Sequence, residues 1–497
     1  MTTLDGSHLT FDDVCRVSKD NGEVGIHPSA VVAMERSRAV VERLAAGDAP
    51  VYGVNTGVGL LADVRVPPEQ LEELQRNVVR SHACGVGPAL AREEVRAMML
   101  IRANVLARGF SGIRPLVAEQ LCRLLNRNVT PVVPSQGSVG ASGDLAPLAH
   151  IALVLIGEGE AEFHDVKLSG DEALRRAEIE PIVLASKEGI SLLNGTQAML
   201  AVGGLQLLEV ENLTESADLV CAMTVDGLRG TPRAFDARIH QVRPFPGQLE
   251  SAANLLSYLE GSAIRESHIS CRRVQDAYSL RCAPQVHGAV RDAVATARRV
   301  LEIELNAVTD NPLVVGEEIF SGGNFHGEPL ALQFDALAVA LTVLSGISER
   351  RIDRLLNPAL NEELPAFLTN RAGLESGLMM LQVTAAALVG ENRVLSQPAS
   401  TGSITTSGNK EDFVSMGMAS ALKLKQVVRN TRHVLAIEMI TAARALDCLH
   451  PLASGPAIER VRSALTSVSP AWTGDRPLGG DIEKVGEWIA SGAPLRC

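Results

Sequence analysis

The chain is predicted to be mainly α-helical, a long central helical bundle preceded by a smaller mixed N-terminal domain. Three observations carry this. Of its 497 residues 46% are hydrophobic but only 3% aromatic, so the core must rest on Leu, Val, Ile and Ala. That composition suits packed helices better than sheets, which favour aromatic and β-branched side chains. The stretches 195–220, 286–308, 329–356, 374–395 and 411–448 are mostly apolar and rich in Ala, Leu and Val, and each exceeds an ordinary globular helix. Up to about residue 194, by contrast, short elements alternate with glycine clusters that also carry polar side chains. The expected division is therefore 1–194, a domain with the glycine-rich loops; 195–448, the long-helix bundle; and 449–497, a helical tail packed on it.

Each element has a local reason. Residues 145–156 are the most apolar run, too short to span a bilayer and interrupted by Pro147 and His150, and read as a buried helix. The long helices are apolar around much of their girth, so they are expected to be covered by one another and by other copies of the chain. In TTSGNKEDFVSMGM, Asn409 is the expected N-cap of the last long helix, with Asp412 three residues on as in a capping box. That would set Glu411 in the first turn.

Charge and cysteines exclude several classes. A formal charge of −12 argues against a nucleic-acid partner or an anionic membrane. The opening MTTLDGSHLTFDD has neither a basic nor an apolar leader segment, and a cytoplasmic location is expected. The eight cysteines, Cys15, Cys84, Cys122, Cys221, Cys271, Cys282, Cys448 and Cys497, form no CxxC pair and no cluster with zinc-ligand spacing. Reduced thiols and no metal site are the expectation.

The glycine-rich loops GVNTGVGLL and GVGPAL superficially resemble phosphate cradles. A dinucleotide fingerprint, however, needs a strand, a helix and an acidic residue about 20 residues on. The helical remainder leaves little room for such a unit, and there is no GxxxxGK[ST]. The stretch 134–147, PSQGSVGASGDLAP, differs in kind. As a bare pattern it is a tight turn leading into a helix. Yet Ala141-Ser142-Gly143 has an uncommon capacity: the Gly143 nitrogen, unhindered by a side chain, can close a five-membered ring on the Ala141 carbonyl. Loss of water, the Ser142 hydroxyl included, leaves a methylidene. The product is 4-methylidene-imidazol-5-one (MIO), an electrophile made from the chain, with no external cofactor.

Here the sequence resembles a known family. The segments VYGVNTGVG, RSHACGVG, GSVGASGDLAPLAH, KEGISLLNGTQ, QDAYSLRCAPQV, NAVTDNPLV, SGGNFHGEP, LPAFLTN, VTAAALVGEN and NKEDFVSM stand in order along nearly the whole chain. Together they are similar to the histidine and aromatic amino-acid ammonia-lyase family, and most to its histidine-specific members. The resemblance implies that Ala141, Ser142 and Gly143 form the MIO. Tyr52 would be the base for the β-proton, and its phenol, which titrates near 10 when free, would need a depressed pKa. Arg281 would grip the substrate carboxylate with its planar fork. Gln275 and Tyr278 would lie beside the MIO, Tyr278 as a catalytic group, Asn194 would contact ring and substrate, and Phe325 would pack near them. Asp144 is expected to support the turn. His82 and Glu411 match the histidine-specific pattern, because an imidazole pocket wants polar partners that a phenyl pocket would be penalised for burying.

The resemblance thus implies elimination of ammonia from the amino acid L-histidine to give trans-urocanate by a homotetramer. A tyrosine-type lyase, a 2,3-aminomutase and a non-catalytic paralogue are the alternatives. The chain departs from the histidine-specific pattern at Val58, at Lys410 beside Glu411, and across 402–407, which reads GSITTS from Gly402. These departures bear on the substrate rather than on the electrophile.

Overall fold

The structure, a computed structural model, describes residues 1–269 and 274–497; Cys271 lies outside them. It is mainly helical, with short two- and three-stranded sheets, as the composition predicts. Two compact units interleave along the sequence. The first comprises Met1–Leu205, Arg298–Phe334 and Pro398–Leu422; the second comprises Gln206–Ala297, Asp335–Gln397 and Lys423–Cys497.

In the first unit the helix Arg92–Ala107 is buried from Glu94 onward. Helices Phe11–Ser18, Pro115–Asn126 and Gln197–Gly204 pack around it. Its start is fixed by the Glu94 carboxylate, which accepts the Ala91 N–H at 2.8 Å. The strand Pro134–Gln136 pairs antiparallel with Val86–Ala89 and delivers the chain into the glycine-rich loop. The helix Leu145–Leu155 follows, largely buried, where the apolar run predicts it.

In the second unit a polar network lies inside the helices. Asp218 accepts from His287 Nδ1 (2.8 Å), Ser251 (2.6 Å) and Arg291 (2.8 Å). Glu438 accepts from Arg351, Thr224 and Ser348, and Arg351 Nη1 stands 3.2 Å from His287 Nε2. Since Nδ1 donates to Asp218 and Nε2 accepts from Arg351, the imidazole is neutral. Each charge of this network thus has a partner, as burial demands.

The long helices Ala283–Leu305, Glu328–Leu356, Met379–Leu395 and Gly417–Asp447 match four of the predicted stretches, with shifted starts. Residues 195–220 are instead split into Gln197–Gly204 and Leu207–Gly227. At the break the rings of Phe334 and Phe11 sit where side chains on Gly203 and Gly204 would be, so the glycines required there weaken the helix. The expected N-cap at Asn409 is not found. Thr406 N–H bonds the Glu411 carbonyl at 2.9 Å, Asn409 adopts φ +68, and the helix begins only at Gly417. A local turn outcompetes the capping signal.

Helix Glu328–Leu356 is long and apolar enough to cross a membrane by length and composition, but 56% of its most apolar window is buried in the chain. Within it Asp335 pairs with Lys423 at 3.0 Å. Val339 and Val343 on this helix, and Met380, Val383 and Val394 on Met379–Leu395, remain exposed.

Candidate active site

The loop after Gln136 is gripped from two segments of the first unit. Gly195 donates its N–H to the Ser142 carbonyl (3.2 Å) and accepts the Asp144 N–H (2.7 Å). Met416 N–H bonds the Val139 carbonyl at 2.9 Å. Asp144 is buried and accepts from Ser138 Oγ (2.7 Å) and Met199 N–H (2.8 Å). Burial pushes its carboxyl up to about 6 against those hydrogen bonds. It braces the turn, as expected. Gly143 sits at φ +74, and a methyl there would stand 2.1 Å from the Gly195 carbonyl oxygen. Only glycine satisfies both the backbone conformation and that approach.

Ser142 Oγ donates to Glu411 Oε1 at 3.3 Å, and Glu411 Oε2 accepts from Thr406 Oγ1 at 2.7 Å. Glu411 is thus held by an antiparallel bridge to Thr406 rather than by a helix start. The neighbouring Lys410 is exposed. Tyr52 rides on a tight turn that Asn55 locks, its side chain accepting the Val51 N–H (2.7 Å) and donating to the Ala49 carbonyl (3.0 Å). Val54 anchors the turn among Val40, Val41 and Val314. The phenol is pushed up by burial and by the Glu411 charge, against a hydrogen bond from the Gly59 N–H. Within the chain the shift therefore runs opposite to the depressed pKa expected of a base.

Asn194 closes the helix Glu188–Leu193. Its amide donates to the Asn311 carbonyl at 2.5 Å. His82 ends the helix Leu71–His82, half-buried, with Nδ1 2.7 Å from the Val78 carbonyl. A carbonyl only accepts, so Nδ1 is the donor in that contact. Phe325 is half-buried beside His326, which stacks on Phe413 near Glu411. The structure therefore links Ser142 to Glu411 and, through Gly195, to the Asn194 segment, with Tyr52 within reach of the Glu411 field. His82 and Phe325 share that unit without a direct bond to this cluster.

Gln275, Tyr278 and Arg281 belong to the second unit. Gln275 is exposed, Tyr278 is 72% exposed, and the Arg281 guanidinium lies 4.6 Å over its ring. Thr406, Asn55 and Gly195 are site-building residues that sequence reasoning missed. Asn55 and Gly195 lie inside matched motifs, whereas Thr406 gives no sequence signal.

The mainly helical fold thus sets a serine, between a buried alanine and a left-handed glycine, against a carboxylate, and the relatives it matches make the chain a carbon–nitrogen lyase. The chain belongs to the aromatic amino acid lyase family, whose model matches residues 9–467. It is 58% identical over 503 residues to a histidine ammonia-lyase of Koribacter versatilis, covering 98% of each chain. Among solved structures it is similar to histidine ammonia-lyase from Trypanosoma cruzi (TM-score 0.92, 41% identity, 100% and 94% coverage). It is also similar to tyrosine aminomutase from Streptomyces globisporus (TM-score 0.93, 38% identity, 100% and 98% coverage).

Proposed function

We propose that this chain eliminates ammonia from L-histidine to give trans-urocanate, with an MIO formed from Ala141, Ser142 and Gly143. The observation that carries the reading is the pairing of the Ser142 hydroxyl with Glu411 in a turn whose Gly143 has no room for a side chain. The residues fit the group: the chain is already bent there, and the Ser142 carbonyl and Asp144 N–H are bound by Gly195. Once formed, the MIO supplies an electrophile that turns the substrate amine into a leaving group.

The chain's own residues do the rest. Glu411, an acceptor with two hydroxyl donors, can take an imidazole N–H. His82 offers Nε2 as a second polar contact, so histidine is favoured over a phenyl side chain. Tyr52 removes the β-proton at its phenolic oxygen. Its raised pKa in the single chain calls for a cation brought close in the assembled enzyme, and Arg281 of another copy is our candidate. Arg281 also binds the substrate carboxylate bidentately, beside Gln275 and Tyr278.

We further infer a homotetramer, in which other copies cover the exposed apolar residues of Glu328–Leu356 and Met379–Leu395. The seven cysteines among the described residues are free, in keeping with a cytoplasmic enzyme. The likeness to a tyrosine aminomutase keeps a second reading in view, conversion of L-tyrosine to a β-amino acid. Assay of the purified chain against both amino acids decides. Urocanate formed from L-histidine, with no β-tyrosine from L-tyrosine, supports the first reading; the converse overturns it.

A further inference from the structure

Behind the site lies a buried cluster of two cations and one carboxylate. Arg102, Lys187 and Asp310 are each at most 1% exposed. Asp310 Oδ2 takes no hydrogen bond but lies 3.7 Å from Lys187 Nζ and 3.9 Å from Arg102 Nη2. The surplus positive charge must find acceptors in a dry interior, and it finds backbone carbonyls. Arg102 donates to the carbonyls of Ser191 and Asn194 and, at 3.0 Å, to Gln197 Oε1. Lys187 donates to the Ser111 carbonyl and to Ser191 Oγ, both at 2.8 Å. Gln197 in turn donates to Thr309 Oγ1 at 2.6 Å. Releasing any of these carbonyls would leave a buried charge short of a partner, so 191–197 is pinned at both ends. In its middle stands Gly195, which holds the Ser142 carbonyl and the Asp144 N–H.

We infer that Arg102, Lys187 and Asp310 are positioning residues for MIO formation, acting through Gly195 to hold the 142–144 backbone bent for ring closure. This rests on the proposed function. The step balances without an oxidant. The Gly143 nitrogen bonds the Ala141 carbonyl carbon, whose oxygen leaves as water with the amide protons of Gly143 and Ser142. The Ser142 hydroxyl leaves as a second water with the Ser142 α-proton.

The test is the intact mass of the full chain, followed in time after cell-free synthesis, for wild type, Asp310→Asn, Arg102→Lys and Arg96→Lys. Arg96 is an equally buried arginine on the same helix, bonded to the Val17 and Leu125 carbonyls, and controls for general damage to the core. The wild type is expected to lose two waters, and Arg96→Lys to lose them at the same rate at whatever cost to thermal stability. Asp310→Asn and Arg102→Lys are expected to close the ring roughly 10²-fold more slowly, the cost of misplacing reacting groups by about 1 Å. Wild-type rates in both cluster variants overturn the inference. A wild type that keeps its full mass overturns the proposed function instead. If Arg102→Lys does not fold, Gln197→Met, which removes one Arg102 acceptor and the link to Thr309, takes its place under the same criterion.

Discussion

Gly143→Ala probes the tightest point of the site. The new methyl would lie 2.1 Å from the Gly195 carbonyl oxygen, well short of the 3.4 Å at which ordinary contact begins. That oxygen cannot simply retreat, because it accepts the Asp144 N–H at 2.7 Å. The left-handed φ of +74 costs a side-chain-bearing residue about 1–2 kcal/mol, and overpacking adds about 1–3 kcal/mol. The expected destabilisation is therefore about 2–5 kcal/mol. Gly316→Ala separates the two contributions: Gly316 has φ +61 and nothing within 4 Å of an added Cβ, so it carries only the backbone cost. Urea unfolding of both variants against wild type, under identical conditions, reads the difference. Equal losses for Gly143→Ala and Gly316→Ala would refute the claim that the Gly195 carbonyl closes over Gly143.

Two further outcomes are expected. Burial lowers the pKa of His287 from 6.5, so the unfolded chain takes a proton below about 6.5 that the folded chain refuses. Its contribution is complete above that pH and is lost as pH falls from there toward the lowered folded value. Asp144, raised to about 6, acts in the opposite sense, but it is common to both proteins in a comparison of wild type with His287→Gln. The variant's urea midpoint should vary less steeply as pH falls below about 6.5, and an unchanged slope would contradict the assignment. His82→Leu should lower kcat/KM for L-histidine by roughly fivefold to 150-fold, the cost of about 1–3 kcal/mol for a polar substrate group left without its partner. Near-wild-type turnover of L-histidine would remove His82 from the pocket.

What was legible in the sequence followed from what is local. The long apolar helices declare themselves, because a run of Ala, Leu and Val with few charges has few other folded uses. The buried helix at 145–155 was equally plain. The break between Gly204 and Leu207 was not, since it depends on two aromatic rings from distant parts of the chain. The capping signal at Asn409 was real as a pattern. It lost to a turn whose stabilising partner, the bridge between Thr406 and Glu411, no window statistic weighs. Ser142 and Glu411 meet across 269 residues of sequence, so their pairing was accessible only through resemblance to a family. The direction of the Tyr52 shift was likewise hidden, because it depends on burial and on the field of Glu411. Nothing in the sequence sets Arg102 apart, and only its three acceptors mark it.

Formation of an electrophile from Ala141-Ser142-Gly143 is tested most directly by the mass of the purified full chain and of its proteolytic peptide spanning 141–143. The chain is expected to be lighter by two waters, with the whole loss in that peptide, and Ser142→Ala is expected to be inactive toward L-histidine. A chain that keeps its full mass while converting L-histidine would contradict it.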